Sequence, residues 1–236
     1  MMITNSLTKK LISYELRTLL ESLATKRTIE EGTYLFQQGM DAKEMYLIKS
    51  GLIQVTMLSS EGIELSLRIC KKDDIVGELT LYTDDPKYLL NAKVIASGEV
   101  LVINIEDLQK ELMNNISLAI EMMKWVSNHM RKFQTKLRDL LLNGKKGALY
   151  STLIRLSNSY GIEVKEGFLI DMLFTNQELA GFCGATREYV NRMLGALRRE
   201  GIISIHPSGK IILHNVEYLR IENGCENCPI EICNID

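Results

Sequence analysis

Three cysteines near the end of the 236-residue chain have the spacing of metal ligands. Cys225, Cys228 and Cys233 form a C-x2-C-x4-C pattern. A CxxC pair can bring two sulfurs to one metal centre, and a third cysteine five residues on can close over the same site. A tail of unligated, exposed thiols would be prone to oxidation, which makes ligation the better interpretation. The sequence therefore predicts that these cysteines hold a metal ion or a metal cluster.

The identity of this metal centre stays open at this point. A Zn²⁺ ion and a [4Fe–4S] cube each take four ligands, so three cysteines leave one position to be filled. Spacing does not separate zinc from iron–sulfur, and a thiol–disulfide switch or an iron–sulfur electron-transfer enzyme are further alternatives. The candidates for the fourth ligand are Cys70, Cys183, His129, His206, His214 or a carboxylate.

A second motif, upstream of the cysteines, predicts a helix-turn-helix. Residues 175–178, Thr-Asn-Gln-Glu, form a capping box that begins one helix, and Thr186 is a good N-cap for the next. Ala180 is small enough for two helices to cross closely, Gly184 suits the turn, and Val190 supplies a branched apolar anchor. Three constraints at fixed offsets, together with the two caps, make this signal fairly specific.

The second helix of this motif carries polar side chains that suit a DNA groove. At ~100° per residue, Arg187, Glu188, Asn191 and Arg192 share one face, opposite an apolar face. Arginine can bind guanine O6 and N7 together, and glutamate can accept from cytosine N4. The alternative is a surface helix with an ion pair between Glu188 and Arg192. The capped turn favours DNA recognition over that alternative.

A β-hairpin follows the two helices. Residues 202–205 and 210–213 consist mainly of isoleucine and leucine and flank His-Pro-Ser-Gly at 206–209, a turn sequence. Such a hairpin can lie along the phosphate backbone as a wing, with Lys210 as a candidate contact. Residues 148–220 are therefore expected to form a winged helix-turn-helix domain.

Upstream of residue 148 the spacing of the apolar residues along the chain changes twice. Residues 6–24 have a helical period, which predicts a helix within an N-terminal segment, 1–25. Residues 26–105 contain short apolar runs separated by glycines, which is typical of a β-sandwich or barrel. The glycines that we expect to separate the strands are Gly39, Gly51, Gly62, Gly77 and Gly98.

A long helix is predicted over residues 106–142. Its apolar residues recur at alternating steps of three and four, the pattern of two helices that pair side by side, so we expect a dimerisation helix. Asn-Gly-Lys-Lys-Gly at 143–147 is expected to end it as a hinge. The residues of the seam are Ile116, Ala119, Met123, Val126, Met130, Phe133, Leu137 and Leu140.

Composition and charge narrow the class of protein. No apolar run reaches the ~18–20 residues of a membrane span, and residues 1–10 do not read as a signal peptide, so we expect a cytoplasmic protein with reduced thiols and no membrane partner. The net charge is −2, yet residues 124–220 carry 15 basic and 8 acidic side chains, which favours a polyanionic partner. The sequence contains no nucleophile elbow, Walker loop or HExxH motif, so we expect no enzyme activity.

Over nearly its whole length the sequence resembles the CRP/FNR superfamily of bacterial transcription regulators. The glycine-spaced β-domain, the long apolar helix and TREYVNRML at 186–194 match in order. The resemblance implies an α+β fold: an N-terminal β-roll (a cyclic-nucleotide-binding-like jelly roll), a dimerisation helix and a C-terminal winged helix-turn-helix. It implies a homodimer that binds double-stranded DNA at a TGTGA-like palindrome and works with RNA polymerase. The expected DNA contacts are Thr186, Arg187, Glu188, Arg192 and Lys210.

The effector of the β-roll is not expected to be cyclic AMP. Cyclic-nucleotide members hold phosphate with Gly-Glu-Leu followed by an Arg-Ser or Arg-Thr pair. Here Gly77-Glu78-Leu79 is present, but Lys87-Tyr88 stands at the later pair. Lysine lacks the planar fork of arginine, and tyrosine is too large for the place of a small hydroxyl.

The ending ENCPIEICNID and the segment KLRDLLLNGKKGALY at 136–150 resemble the Gram-positive (bacillar) Fnr branch of this superfamily, the anaerobic regulators. That resemblance implies that Cys225, Cys228 and Cys233, in a cluster-binding tail at 221–236, bind an oxygen-labile [4Fe–4S] cluster that Asp139 completes. It also implies activation of genes for anaerobic respiration and fermentation. From the sequence alone, Asp139 reads as a solvent-facing helix acid beside Arg138.

Overall fold

The computed structural model describes residues 12–60, 62, 64–225 and 228–235, and the chain divides into two compact units. Unit 1 comprises residues 1–53 and 70–129, and unit 2 comprises residues 54–69 and 130–236. The first residues of the predicted N-terminal helix, 6–11, lie outside the described residues, as do positions 226, 227 and 236 of the predicted tail.

An antiparallel sheet lies mostly in unit 1. The elements, some of which continue into unit 2, are α1 (Tyr14–Leu23), β1 (Ala24–Ile29), β2 (Tyr34–Phe36), β3 (Glu44–Leu58), β4 (Glu64–Cys70), β5 (Ile75–Val76), β6 (Asn91–Asn104), α2 (Ile105–Asn114) and α3 (Ile116–Tyr160). The strand order of the sheet is β1-β6-β3-β4, with β2 paired to β6 and β5 paired to β3, and residues 54–58 of β3 and 64–69 of β4 belong to unit 2. A 3-10 helix at Glu78–Thr80 follows β5.

Two of the glycines that were expected to separate strands lie inside long strands instead. Gly51 lies within β3 and Gly98 within β6. A Cβ at Gly51 would come within 2.6 Å of the carbonyl oxygen of Ala96, and a Cβ at Gly98 would collide with the backbone of Ser50. The expectation was wrong here because these glycines permit two backbones to approach closely, which is a second use of glycine in a strand.

The core of unit 1 joins α1, α2 and the first turns of α3 to the sheet. Leu16 and Leu20 of α1 are fully buried, and Ser13 caps that helix by accepting from the backbone N–H of Leu16. The buried residues of this core are Ile12, Leu16, Leu20, Met45, Leu47, Ile75, Leu101, Ile103, Ile105, Leu108, Leu112 and Met122.

The segment predicted as one helix over 106–142 is two helices. α2 ends at Asn114, α3 begins at Ile116, and α3 continues to Tyr160 with a break at Gly144, whose φ of 60° and ψ of −161° are not helical. The break falls within the hinge that the sequence predicts. Along α3 a row of apolar side chains is exposed at a spacing close to seven, as in an unpaired coiled-coil face. These residues are Ile116, Ile120, Met123, Met130, Leu137 and Leu141.

Unit 2 contains the predicted two-helix motif and hairpin, and a second hairpin that the sequence analysis missed. The elements after α3 are β7 (Gly161–Val164), β8 (Gly167–Ile170), α4 (Asn176–Cys183), α5 (Arg187–Arg199), β9 (Ile203–Ile205), β10 (Ile211–Leu213) and α6 (Val216–Glu222). The missed hairpin consists of β7 and β8, and β8 also pairs with β10, so the sheet order is β7-β8-β10-β9.

The core of unit 2 includes residues from the end of the chain. Residues 148–156 of α3 supply its centre, and Ile235 is buried in the same cluster, with Cys225 and Cys233 packed against it. The tail is therefore part of this unit's core.

Candidate DNA-binding surface and candidate metal centre

The helix-turn-helix has the local geometry that its spacing predicts. Thr175 caps α4 in a complete capping box, in which its side chain accepts from the backbone N–H of Glu178 and the Glu178 side chain accepts in return. Gly184 ends α4 in the left-handed region, with φ of 54°. Ala180 and Val190 are fully buried where the two helices pack. These contacts fix how α5 is presented.

The polar face of α5 is exposed. Thr186 caps the helix by accepting from the backbone N–H of Tyr189. Arg187, Glu188 and Arg192 are exposed, and the Arg192 guanidinium lies 5.2 Å from the centre of the Tyr189 ring. The opposite face of α5 is buried through Val190, Leu194 and Leu197. A positively charged, exposed face on a helix that is held by its other side suits insertion into a major groove.

The predicted wing residue Lys210 already has a partner. Its ammonium nitrogen lies 2.6 Å from Oδ1 of Asp171, and the side chain is partly buried. A phosphate contact would therefore replace or share an ion pair within unit 2. Such a half-exposed pair contributes about 0–1 kcal/mol to stability, so replacing it by a phosphate contact costs little free energy.

The tail is attached to the second part of α3 through its backbone. Arg155 donates to the carbonyl oxygen of Ile232 over 3.0 Å, and Asn158 donates to that of Cys233 over 2.6 Å. The backbone N–H of Ile235 donates to Oγ of Ser159 over 3.0 Å. Because these bonds use the tail's main chain, they hold its position and leave its cysteine side chains free for other chemistry.

Asp139 is buried, which corrects the expectation of a solvent-facing acid. Its exposed fraction is 2%. One carboxylate oxygen accepts from Arg138 over 2.8 Å, and the other accepts from Ser151 over 2.5 Å and from Arg155 over 3.3 Å. Ser151 and Arg155 lie beyond the break at Gly144, so their approach could not be derived from local spacing. Sequence reasoning missed Arg155, although a charged residue inside the largely apolar segment 149–156 was a signal of a buried ion pair.

Asp139 and the tail cysteines share one electrostatic environment. Burial raises the pKa of the Cys225 thiol, and the nearby charges of Cys233 and Asp139 raise it further. Burial also raises the pKa of Cys233; the positive charge of Arg155 opposes this effect, while Cys228 and Asp139 add to it. Each additional anion makes the others harder to ionise, and a bound cationic centre would reverse that effect.

The other candidates for a fourth ligand lie in different surroundings. Cys183 is buried in the helix-turn-helix core, where desolvation raises the pKa of its thiol to about 12. A hydrogen bond with Thr152 acts in the opposite direction and lowers that pKa by a smaller amount. His206 bonds Ser208, and His214 lies within hydrogen-bond distance of Glu166 and Ser204. Cys70 is buried at the end of β4, and the His129 ring lies tilted against that of Trp125, with their centroids 3.8 Å apart.

The fit of a metal centre depends on its type. Within the described residues no three His, Cys, Asp or Glu side chains are grouped as ligands of a single ion. In a cubane each ligand binds a different iron, so its four ligands are spread around the cube. Three thiols and a carboxylate are a suitable donor set for such a cluster. Nearby, the buried amide nitrogen Nδ2 of Asn223 has no acceptor among the described residues. This amide lies close enough to Cys225 to lower the pKa of its thiol, against the larger effect of burial. N–H donors beside ligand sulfurs are a regular part of iron–sulfur sites.

In the β-roll, Tyr88 occupies the space beside the Gly77-Glu78-Leu79 turn. Its ring stacks on Phe36 with centroids 3.8 Å apart, and its hydroxyl donates to the carbonyl oxygen of Glu44 over 2.5 Å. Gly77 has a φ of 93°, and a Cβ there would lie 3.6 Å from the tyrosine ring. Tyr88 is thus a packed core residue at the position where the cyclic-nucleotide pattern has a small hydroxyl.

Comparison with known proteins gives the family. The Cyclic nucleotide-binding domain family matches residues 26–115, and the Crp-like helix-turn-helix domain family matches residues 147–221. The "Anaerobic regulatory protein" of Bacillus subtilis (strain 168) is 65% identical over 96% of this chain and 95% of its own length. The chain belongs to the CRP/FNR superfamily of bacterial transcription regulators.

More distant CRP/FNR proteins share the same organisation. The "Lactate racemization regulatory protein" of Lactiplantibacillus plantarum is 32% identical over 79% of this chain and 86% of its own length. Among solved structures, the c-di-GMP-responsive regulator CLP of Xanthomonas campestris superposes with a TM-score of 0.75 at 20% identity, over 86% of this chain and 99% of its own. FixK2 from Bradyrhizobium japonicum superposes with a TM-score of 0.69 at 19% identity, over 84% of this chain and 96% of its own. The similarity in sequence supports the predicted family, and the superposed structures confirm the α+β fold class.

CRP/FNR membership also fixes the broad class of activity. The superfamily consists of transcription regulators, which are not enzymes, and its helix-turn-helix binds DNA. The positions expected to contact DNA or the metal centre remain predictions at this stage. No helix in the described part of the chain is both long and apolar enough to cross a membrane.

Proposed function

We propose that this protein is an oxygen-sensing transcription regulator, mainly an activator, that binds a TGTGA-like palindrome as a homodimer under control of an oxygen-labile [4Fe–4S] cluster. Its target genes serve anaerobic respiration and fermentation, and it acts in the cytoplasm together with RNA polymerase. Support for the anaerobic role comes from the 65% identity to the Bacillus subtilis anaerobic regulator.

The observation that carries the sensor proposal is the burial of Asp139 beside the tail. A carboxylate with an exposed fraction of 2% is costly unless paired, and this one acts electrostatically on both Cys225 and Cys233. Cys225, Cys228, Cys233 and Asp139 would hold the cluster. The cluster supplies reactivity towards oxygen, and the oxygen ligand makes it more labile than four thiolates would.

The ligand role of Asp139 requires one of its present partners to leave. A carboxylate has about four lone-pair sites, and Arg138, Ser151 and Arg155 use them in this structure. Arg138 is the partner with the more exposed side chain, 26% against 3% for Arg155. We expect Arg138 to turn towards solvent and Arg155 to remain in place.

The exposed apolar row on α3 supports the homodimer. Isolated apolar side chains are ordinary on a surface, but a row repeated at Ile116, Met123, Met130 and Leu137 is a seam. An inverted repeat requires that pairing of two such helices bring the two copies of α5 about one turn of DNA apart, roughly 10–11 bp. Arg187, Glu188 and Arg192 would read bases, and Thr186 and Lys210 would contact the backbone.

The decisive experiment is purification without oxygen, with iron, sulfide and zinc quantified and DNA binding measured before and after exposure to air. We expect a coloured protein with iron and sulfide that loses its operator affinity in air. Cys228→Ser is expected to lose iron, whereas Cys183→Ala, which changes a cysteine outside the tail, is expected to keep it.

Other outcomes would each favour one alternative. A colourless protein with stoichiometric zinc that binds its operator in air would favour a zinc-stabilised tail. Iron-free protein whose DNA binding responds to oxidants would favour a thiol–disulfide switch. Reductase turnover without sequence-specific DNA binding would favour an electron-transfer enzyme.

A further inference from the structure

Two asparagines connect the end of α6 to the break in α3. The side-chain amide of Asn143 donates to the backbone carbonyl oxygen of Asn223 over 3.0 Å and to its Oδ1 over 3.1 Å. Asn143 directly precedes Gly144, where α3 is broken, and Asn223 lies 80 residues later in sequence. A bidentate contact of this kind fixes the position of one segment relative to the other.

The side chain of Asn223 is buried and only half satisfied. Its exposed fraction is 2%, and while Oδ1 accepts from Asn143, Nδ2 has no acceptor among the described residues. Buried amide donors almost always have a partner. Asn223 lies two residues before Cys225, and its amide is close enough to influence that thiol. A thiolate sulfur at Cys225 would be a suitable acceptor for this N–H.

Gly147 leaves the space for this pair. A Cβ at position 147 would overlap the Cβ of Asn143 and would come within 2.6 Å of Oδ1 of Asn223. Gly147 has no positive φ, so the chain does not need glycine there for backbone reasons. The requirement is one of volume, because a methyl group would separate the two asparagines.

We propose that Asn223 is a positioning residue that donates its Nδ2–H to the sulfur of Cys225 and, through Asn143, links that cysteine to the break in α3 at Gly144. This inference rests on the proposed cluster. It goes beyond that proposal because it names the contacts within unit 2 that connect one cluster ligand to the hinge. Hydrogen bonds to ligand sulfurs orient them and tune their electronic properties, so the same bond also influences the cluster's stability.

Two variants separate the two halves of the link. Asn223→Asp keeps an oxygen that accepts from Asn143 but removes the N–H that faces Cys225. Asn143→Ala removes the contact to the hinge and leaves the Asn223 amide in place. Asn158→Ala is the matched control, because it removes a side-chain amide that donates to a tail carbonyl but does not touch the hinge.

The readouts are the iron–sulfur(Cys) stretching frequencies, the half-life of visible absorbance in air, and hydrogen exchange of residues 143–147 with and without the reconstituted cluster. We expect Asn223→Asp to shift a terminal stretch and to shorten the half-life by roughly fivefold, the effect of one hydrogen bond. We expect Asn143→Ala to keep the wild-type spectrum but to lose the cluster-dependent protection of 143–147. Asn158→Ala should keep that protection difference.

The proposal is overturned if Asn223→Asp leaves the spectrum and half-life unchanged, or if Asn143→Ala retains the protection difference. An arm with iron-free protein keeps this test separate from the proposed function. There, Gly147→Ala should accelerate exchange of residues 219–225 by several-fold, because the asparagine pair cannot form. Unchanged exchange in that arm would refute the link even if the wild type binds a cluster.

Discussion

Replacing Arg155 by methionine is expected to destabilise unit 2 by about 3 kcal/mol in the iron-free protein. The guanidinium has an exposed fraction of 3% and donates to Asp139, Ser151, Thr135 and the carbonyl oxygen of Ile232. Removing one partner of a buried ion pair costs about 3–5 kcal/mol, because the remaining charge loses its compensation. Here Arg138 and Ser151 still bind the carboxylate, which places the expected cost at the lower end.

Hydrogen exchange is the appropriate assay for this variant. The chain's one tryptophan, Trp125, lies in unit 1, so its fluorescence does not report on unit 2. Amides of residues 149–156 lie in the core of unit 2 and are expected to exchange only when that unit opens. A loss of about 3 kcal/mol should accelerate their exchange roughly a hundredfold.

Two further variants make the reasoning refutable. Arg138→Met removes a more exposed partner of the same carboxylate and should cost less than about 1 kcal/mol. Asp139→Leu combined with Arg155→Met removes both charges and should be more stable than Arg155→Met alone. Two results would show that Asp139 does not depend on a buried pair with Arg155. One is a loss of stability in Arg138→Met as large as in Arg155→Met. The other is a loss in the double variant equal to the sum of the losses in the two single variants.

Three other changes test the DNA-binding surface and the core. Arg187→Ala should cost about 1–3 kcal/mol at a TGTGA-like site and relax preference at one base, measured by fluorescence anisotropy; an equal loss on random DNA would contradict base recognition. Lys210→Ala should weaken binding to all sequences alike and reduce the slope of log affinity against log salt by about 1, and a sequence-dependent loss would argue against a phosphate contact. Because burial raises the pKa of Cys183 from 9.0 to about 12, its thiol favours the folded state below pH 9, and that contribution is lost as the pH rises towards 12. Cys183→Ala should therefore lose less stability than the wild type between pH 9 and 12, by up to about 1.4 kcal/mol per pH unit in denaturant titrations, and parallel curves would refute the assignment.

The parts of the fold that the sequence predicted depend on short-range rules. The capping box at Thr175, the left-handed Gly184 and the apolar face of α5 each follow from residues within one or two helical turns. The wing hairpin follows from a turn cluster between two apolar runs. Such features are readable because the residues that determine them are neighbours in the chain.

The features that sequence reasoning missed depend on distant partners. The sequence pattern predicts strand breaks at Gly51 and Gly98, whereas these glycines allow β3 and β6 to approach closely, a relation between residues almost fifty positions apart. The sequence predicts an exposed Asp139 because only Arg138 is adjacent to it in the chain, whereas Ser151 and Arg155 contact it from beyond Gly144. The orphaned amide of Asn223 becomes visible only when burial is known.

The positions of the proposed ligands relative to Gly144 explain how they can control the hinge. Asp139 precedes the break in α3, whereas the tail is fastened beyond it, through Arg155, Asn158 and Ser159. A centre bound by Asp139 and by the tail cysteines therefore ties together the two segments of chain that meet at Gly144. Loss of that centre would leave the bonds of Asp139 to Ser151 and Arg155, the Arg155–Thr135 bond and the Asn143–Asn223 contact as ties across the hinge region. The burial that keeps Asp139 away from solvent thus also makes it a suitable ligand for a sensor, because its ligation would constrain a backbone break within the DNA-binding unit itself.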